Sequence, residues 1–374
     1  MKKIFVLLLL FFMCHLLFAQ QDVTREIKTQ PGKRLEVDLN TGGSIEVNGW
    51  GKNLVSVKAR VYSNEIKDYD LRIKETSFGV EVDVTSTGRG RNRGGVDLEI
   101  YVPEKYDLTL ETMGGEIIIS DVEGKIEGET MGGEIELRSL KGEVELTTMG
   151  GDITVEDSDL DGEVKTMGGE VVFKDVIGDL KGSTMGGDVV YINIKKRGKI
   201  DERKEIRIST MGGEISVDSA PSGANVSTMG GDIRIRAATK YVKAKTMGGD
   251  INIDEIDGAA QASTMGGDIE VTMIGDPAKG NRDVDLSSMG GDITLTLPDG
   301  LSIDFDITLT YTKRARAYKI ISDFPIKLEE SEDWDYSEGS ARKYIYGTGK
   351  IAGGKNRIKI DTINGDITIK KGSR

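Results

Sequence analysis

The residues of this chain most suggestive of chemistry are carboxylates set at nearly fixed intervals. They stand at Glu116, Glu134, Asp152, Glu170, Asp188, Glu214, Asp232, Asp250, Asp268 and Asp292, with Asp366 in a last copy near the end. Carboxylates are hard oxygen donors, and a column of them could hold calcium. Stacked outward about 5 Å apart, neighbours would repel by on the order of 1 kcal/mol per pair even in water, and a bound cation would relieve that. Against an ordered calcium cage, the column mixes four Glu with seven Asp, whose reach differs by a methylene. An 18-residue turn with Gly-Gly-Asp resembles calcium-binding β-rolls, yet the second Gly-x-Asp of their nonapeptide is missing. The reading from sequence is a solvated, screened acidic ridge that keeps the molecule soluble, with calcium as a weak candidate ion and no cofactor.

Three residues before each of the first ten carboxylates stands a methionine, at 113, 131, 149, 167, 185, 211, 229, 247, 265 and 289, preceded by Thr or Ser. Ten stacked thioethers could bind a soft metal such as Cu(I). In strict alternation, however, Met131 falls in phase with Gly133, Ile135 and Leu137, so the sequence predicts a Met column packed in the core. The Thr column could face a ligand or ice; β-propensity favours a hydroxyl ladder instead.

The only Cys and His are Cys14 and His15, both inside the first 19 residues. Beyond them the chain has no thiol nucleophile, no imidazole acid or base, no disulfide and none of the usual zinc or haem ligands. The net charge is −13, and loss of Lys2 and Lys3 with the leader takes it to −15, so duplex nucleic acid is excluded as a partner. Three other segments are candidate contact sites. Arg89, Arg91 and Arg93 lie in a Gly-rich basic loop that could hold an anionic glycan or lipid headgroup, although a solvated hairpin tip is the expected role. Lys195 to Lys204 mixes both signs of charge as surface loops do. Trp334 and Tyr336 sit among carboxylates, where a ring could stack on a sugar; the expected role is an acidic loop whose aromatics anchor it to a cap.

What must position these residues is a repeat. Seven of the nine Met-to-Met intervals are 18, and the other two are 26 and 24, a solenoid signature. In Thr130 to Thr147 (TMGGEIELRSLKGEVELT) two short alternating strands are joined by corners, one entered through Lys141-Gly142. The fold class predicted is all-β: a parallel β-helix or solenoid of 18-residue coils, two short strands per coil, with irregular β caps at both ends. Substituting Gly132 and Gly133 by Val should frustrate a coil through φ restriction and overpacking against Met131. The chain divides into a signal peptide (1–19), an N-terminal cap (20–110) that includes a degenerate copy at Asn40 to Ser44, regular repeats (111–295) and a C-terminal cap (296–374). Met1-Lys-Lys3, an apolar run to Phe18, and Leu17-Phe-Ala19 read as a cleavable leader, which predicts export to the periplasm, outer surface or medium. No later stretch is long and apolar enough for a membrane helix.

Gly43-Ser-Ile-Glu-Val-Asn-Gly-Trp50, Val102-Pro103, the serial Thr-Met-Gly-Gly-Asp-Ile copies and Thr362-Ile-Asn-Gly-Asp-Ile-Thr-Ile369 resemble the bacterial "putative adhesin" family catalogued as domain-of-unknown-function family 4097. The resemblance spans roughly residues 34 to 371. It implies an exported envelope β-solenoid with an adhesive role and carries over no catalytic or binding residue. The function expected is a non-catalytic envelope or surface scaffold for a glycan or a protein, self-association included. A carbohydrate-active lyase or glycosidase is the alternative, but it needs a singular pair of carboxylates about 5 to 9.5 Å apart. A calcium-stabilised surface repeat protein is the other.

Overall fold

The computed structural model describes residues 21–61, 68–87, 95–192, 205–313, 316–337 and 339–372. They form a parallel β-solenoid, with no α-helix among the described residues. Each regular coil supplies a four-residue strand such as Ile135–Arg138 and a longer one such as Lys141–Thr148. Corresponding strands stack in parallel register one repeat apart, so Ile135 lies between Ile117 and Ile153, and Val144 between Ile126 and Gly162. A single coil has no partner for its apolar face or its amides; stacking supplies both. Inward positions of both strands make one continuous buried core of Ile, Val, Leu and Phe.

The Met column is not in that core, which corrects the phase read from sequence. Met131 is 49% exposed, and all ten methionines of the motif lie between 44% and 54%. Thr130 is buried, Met131 and Gly132 both face out, and Gly133 and Ile135 are buried again. Two consecutive outward residues turn the corner, so alternation slips by one and the threonine becomes the inward residue. Gly133, Ile135 and Leu137 keep the inward positions expected of them.

The second glycine of each pair is required by close approach. A Cβ on Gly133 would lie 1.9 Å from the Gly115 carbonyl oxygen, whereas one on Gly132 would meet nothing within 4 Å. Neither takes a left-handed φ, and Met131 is not the obstacle. At the other corner, Asp121, Ser139, Asp157 and Asp175 do adopt left-handed φ of 60°, 54°, 49° and 54°, a region that short polar side chains tolerate best after glycine. Gly142, expected at this turn, has a φ of 128° just inside the following strand.

At both ends the chain threads out of order. The first coil, Arg34–Leu39 and Ile45–Trp50, lies between Asp107–Thr112 with Ile117–Ser120 on one side and Gly79–Ser86 with Val96–Pro103 on the other. Antiparallel strands then cover the outer coil: Leu54–Val61 pairs with Val96–Pro103, Gln21–Lys28 with Leu54–Val61, and Tyr69–Glu75 with Gly79–Ser86. At the far end the last coil, Asn356–Ile363 and Ile367–Gly372, is inserted between Val284–Ser288 with Ile293–Pro298 and the outer pair Ile303–Thr312 with Ile320–Ser322. Arg342–Ile351 runs antiparallel to Ile303–Thr312, and Lys327–Glu330 to Arg342–Ile351. The outermost strand there, Lys-Leu-Glu-Glu, is charged and exposed, as edge strands that resist sideways pairing are.

Candidate functional site

The repeated corner is built from the threonine outward. Thr148 is buried; its hydroxyl donates to the Gly133 carbonyl of the preceding coil at 2.8 Å and accepts the Gly151 amide at 3.3 Å. Thr130, Thr166, Thr184, Thr210, Thr228, Thr246 and Thr264 repeat this pair of bonds, and Ser288 makes it with the hydroxyl alone. The column is thus a hydroxyl ladder stitched to the backbone of two coils. Thr148→Val would leave a buried carbonyl and amide without partners, so a loss of about 2 kcal/mol is expected in urea unfolding, with Thr148→Ser closer to wild type because Ser288 already serves.

The acidic residues follow at the surface. Each Asp of the column accepts, through Oδ1, the backbone amide of the acidic residue one coil on: Asp152 from Glu170 at 2.8 Å, Asp188 from Glu214, Asp232 from Asp250, Asp250 from Asp268, Asp268 from Asp292, and Asp292 from Asp366. Asp366 closes the series on the Lys319 amide and meets Arg316 at 3.0 Å. Glu116, Glu134, Glu170 and Glu214 make no such bond among the described residues, since an extra methylene carries their oxygens past the next amide. The mixture of Asp and Glu therefore has a local cause in hydrogen bonding from coil to coil. No group of three or more His, Cys, Asp or Glu among the described residues is arranged to hold a metal ion.

Arg89, Arg91 and Arg93, and Lys195 to Lys204, lie outside the described residues. Trp334 and Tyr336 belong to the hairpin between Lys327–Glu330 and Arg342–Ile351, where Asp335 bridges to Arg342. Trp334 meets Tyr311 edge-on, with centroids 5.7 Å apart, and Lys313 and Lys343 lie 5.8 and 5.7 Å from its ring. Tyr336 is 62% exposed. Asp335 accepts the Ser337 amide, the Ser337 hydroxyl and the Tyr344 hydroxyl, and the Ser337 amide foremost holds its carboxyl below the usual range. It is an ionised loop brace.

Tyr311 hydrogen-bonds Glu330, whose carboxylate pushes the phenol up to about 12. Because the folded value lies above the unfolded one of about 10, its contribution to stability holds below pH 10 and is lost as pH rises toward 12. An absorbance titration of Tyr311→Phe should show one tyrosine fewer ionising in that upper range.

A shallow groove of about 380 Å³ crosses the long-strand face where Ala259 and Gln261 separate Tyr241 and Lys243 from Asp285, Arg357 and Lys359. Sequence reading missed it, because Ala259, whose short side chain opens it, is an ordinary outward position of the repeat.

Residues 45–370 match the family described as Toastrack DUF4097. The chain belongs to that family. Solved structures similar to this Toastrack chain include a "putative adhesin" from Parabacteroides merdae ATCC 43184, 13% identical, covering 74% of this chain and 96% of that one with a TM-score of 0.35. Another is a "putative adhesin" from Parabacteroides distasonis ATCC 8503, 10% identical, covering 75% and 98%, with a TM-score of 0.34. A "putative lipid binding protein" from the same organism is 13% identical over 93% and 96%, with a TM-score of 0.26. No curated protein matches the sequence. Among the described residues of the Toastrack chain no helix is long and apolar enough to cross a membrane.

Proposed function

We propose that this Toastrack solenoid is exported and acts at the cell envelope or surface as a non-catalytic scaffold that binds a glycan or a protein. The observation that carries the reading is the repetition of its described outer surface: the same Met, Gly and acidic columns recur coil after coil. The leader-like N-terminus and the lack of Cys and His beyond residue 15 support it. The alternative of a carbohydrate-active enzyme finds its nearest singular site at Trp334 and Asp335. It is weakened by the three hydrogen bonds that occupy Asp335 and by the two lysines beside the indole. The groove beside Tyr241, with cationic and carboxylate groups around one ring, suits a sugar better.

The test is a glycan array probed with residues 20–374, followed by mass analysis of every bound glycan. Recovery of intact glycan, with binding weakened about tenfold by Tyr241→Ala, is expected. Shortened or unsaturated products would identify an enzyme instead. The acidic column enters as a solvated ridge: calcium should raise the melting temperature no more than sodium at equal ionic strength. A larger calcium shift would overturn that role and make the column a metal-bound spine.

A further inference from the structure

The exposed methionines are the feature that a scaffold does not explain. Of the 13 Met in the chain, Met1 and Met13 lie in the leader, Met273 is buried, and the other ten form one solvent-facing column. Exposed positions ordinarily tolerate substitution at little cost, and the packed core of this same solenoid varies freely: the inward place of Leu137 is taken by Ile119, Val155, Phe173 and Tyr191 in neighbouring coils. The outward place is Met ten times. An apolar stripe alone would accept Leu or Ile, so the constant element is the thioether.

The fold does not need it. In the last coil, inserted beneath the C-terminal cap, Ile363 and Asn364 stand where Met and the first Gly stand elsewhere, and Asn364 accepts from Thr312 of the cap. Alongside the open Met column runs the first-glycine column, with nothing closer than 3.5 Å to its Cβ positions and no left-handed φ. That bare strip gives long side chains room to lie down. Beyond it stands the acidic column.

We propose that this column is a linear binding site for soft monovalent cations, Cu(I) or Ag(I), held between thioethers of adjacent coils. Thioethers are the only soft donors left in a chain without Cys or His beyond its leader, and soft ions select them over carboxylates. The Met amides bond to the corner of the preceding coil, Met229 and Met247 to its Met carbonyl and Met149 and Met167 to the Thr carbonyl beside it, which sets the rungs about one strand spacing apart. That spacing is about 4.8 Å, close to twice the roughly 2.3 Å that Zn(II), a d10 ion like Cu(I), makes to sulfur, so the spacing suits one ion between two rungs. The carboxylates raise the local cation concentration without ligating.

The experiment is an anaerobic titration of residues 20–374 with Cu(I) against a bathocuproine competitor, and with Ag(I) nitrate in chloride-free buffer. It is read by metal count after desalting and by NMR of ¹³C-methyl methionine. About one ion per two column methionines should be retained, with every column methyl shifted, Met273 unmoved, and no shift from Ca(II) or Zn(II). The triple variant Met149→Ile, Met167→Ile, Met185→Ile should lose one to two ions while its circular dichroism and melt stay as wild type. No retained ion, equal shifts from Zn(II), or a full count in the folded triple variant would overturn the proposal. If the triple variant fails to fold, the wild-type methyl shifts decide.

Discussion

Gly151→Ala should cost about 3 to 5 kcal/mol, while Gly150→Ala, one residue earlier in the same pair, should stay within about 0.5 kcal/mol. The contrast comes from the distance between coils. A Cβ on Gly151 would stand 2.0 Å from the carbonyl oxygen of Gly133, 2.4 Å from its carbon and 2.7 Å from the Glu134 amide nitrogen. All three are backbone atoms held by the stacked strands and by Thr148, so nothing flexible can yield. A Cβ on Gly150 would meet its nearest neighbour at 3.9 Å, ordinary contact. Urea unfolding of the two variants, with amide exchange to show whether the loss is confined to adjacent coils, checks the prediction. Equal stabilities would mean that the coils can part by the width of a methyl group.

Arg282→Met should cost about 3 kcal/mol or more, and Arg282→Lys should recover little of it. Arg282 lies in the 24-residue repeat and is 2% exposed. Its guanidinium donates to the carbonyls of Ile274, Asp276 and Lys279 and to the Asp257 carboxylate, at 2.6 to 3.2 Å. Four acceptors around one planar fork set the path of the six extra residues, and an ammonium cannot address all of them. The loss should appear as faster amide exchange across residues 274 to 283 before global unfolding. Unchanged exchange there would mean the loop is held by its flanking strands.

The solenoid could be read from sequence because its signal is a period: 18 residues, alternating Ile and Val, and a glycine pair at a fixed place. Alternating apolar residues in the caps, such as Leu35, Val37 and Leu39 or Ile303, Phe305, Ile307 and Leu309, fall in strands Arg34–Leu39 and Ile303–Thr312. What alternation could not give was the phase across a corner, because Met131 and Gly132 both turn outward there. That single slip put methionine inside and threonine outside, although the hydroxyl ladder itself was expected. The function of Arg282 was hidden for a related reason: an interval of 24 reports that residues are added but not what holds them. The acidic column was visible as a series of charges, yet the bonds that separate Asp from Glu depend on an amide one coil away. The order of coils at the two ends follows from no local pattern, since an inserted coil has the same period as its neighbours.

The first and last coils of the chain are each clasped between two others, and this has a mechanical consequence. Tension applied through the two ends of the polypeptide meets unequal resistance: on the N-terminal side it first peels Gln21–Lys28, an edge strand paired only with Leu54–Val61 among the described residues. Behind that strand the first coil, and at the other end the last coil, is hydrogen-bonded along both sides, so two ladders must be broken before either coil leaves. A molecule held by its ends would carry the same force through every coil in series and would yield first at that N-terminal edge strand, with the clasped coils holding after it.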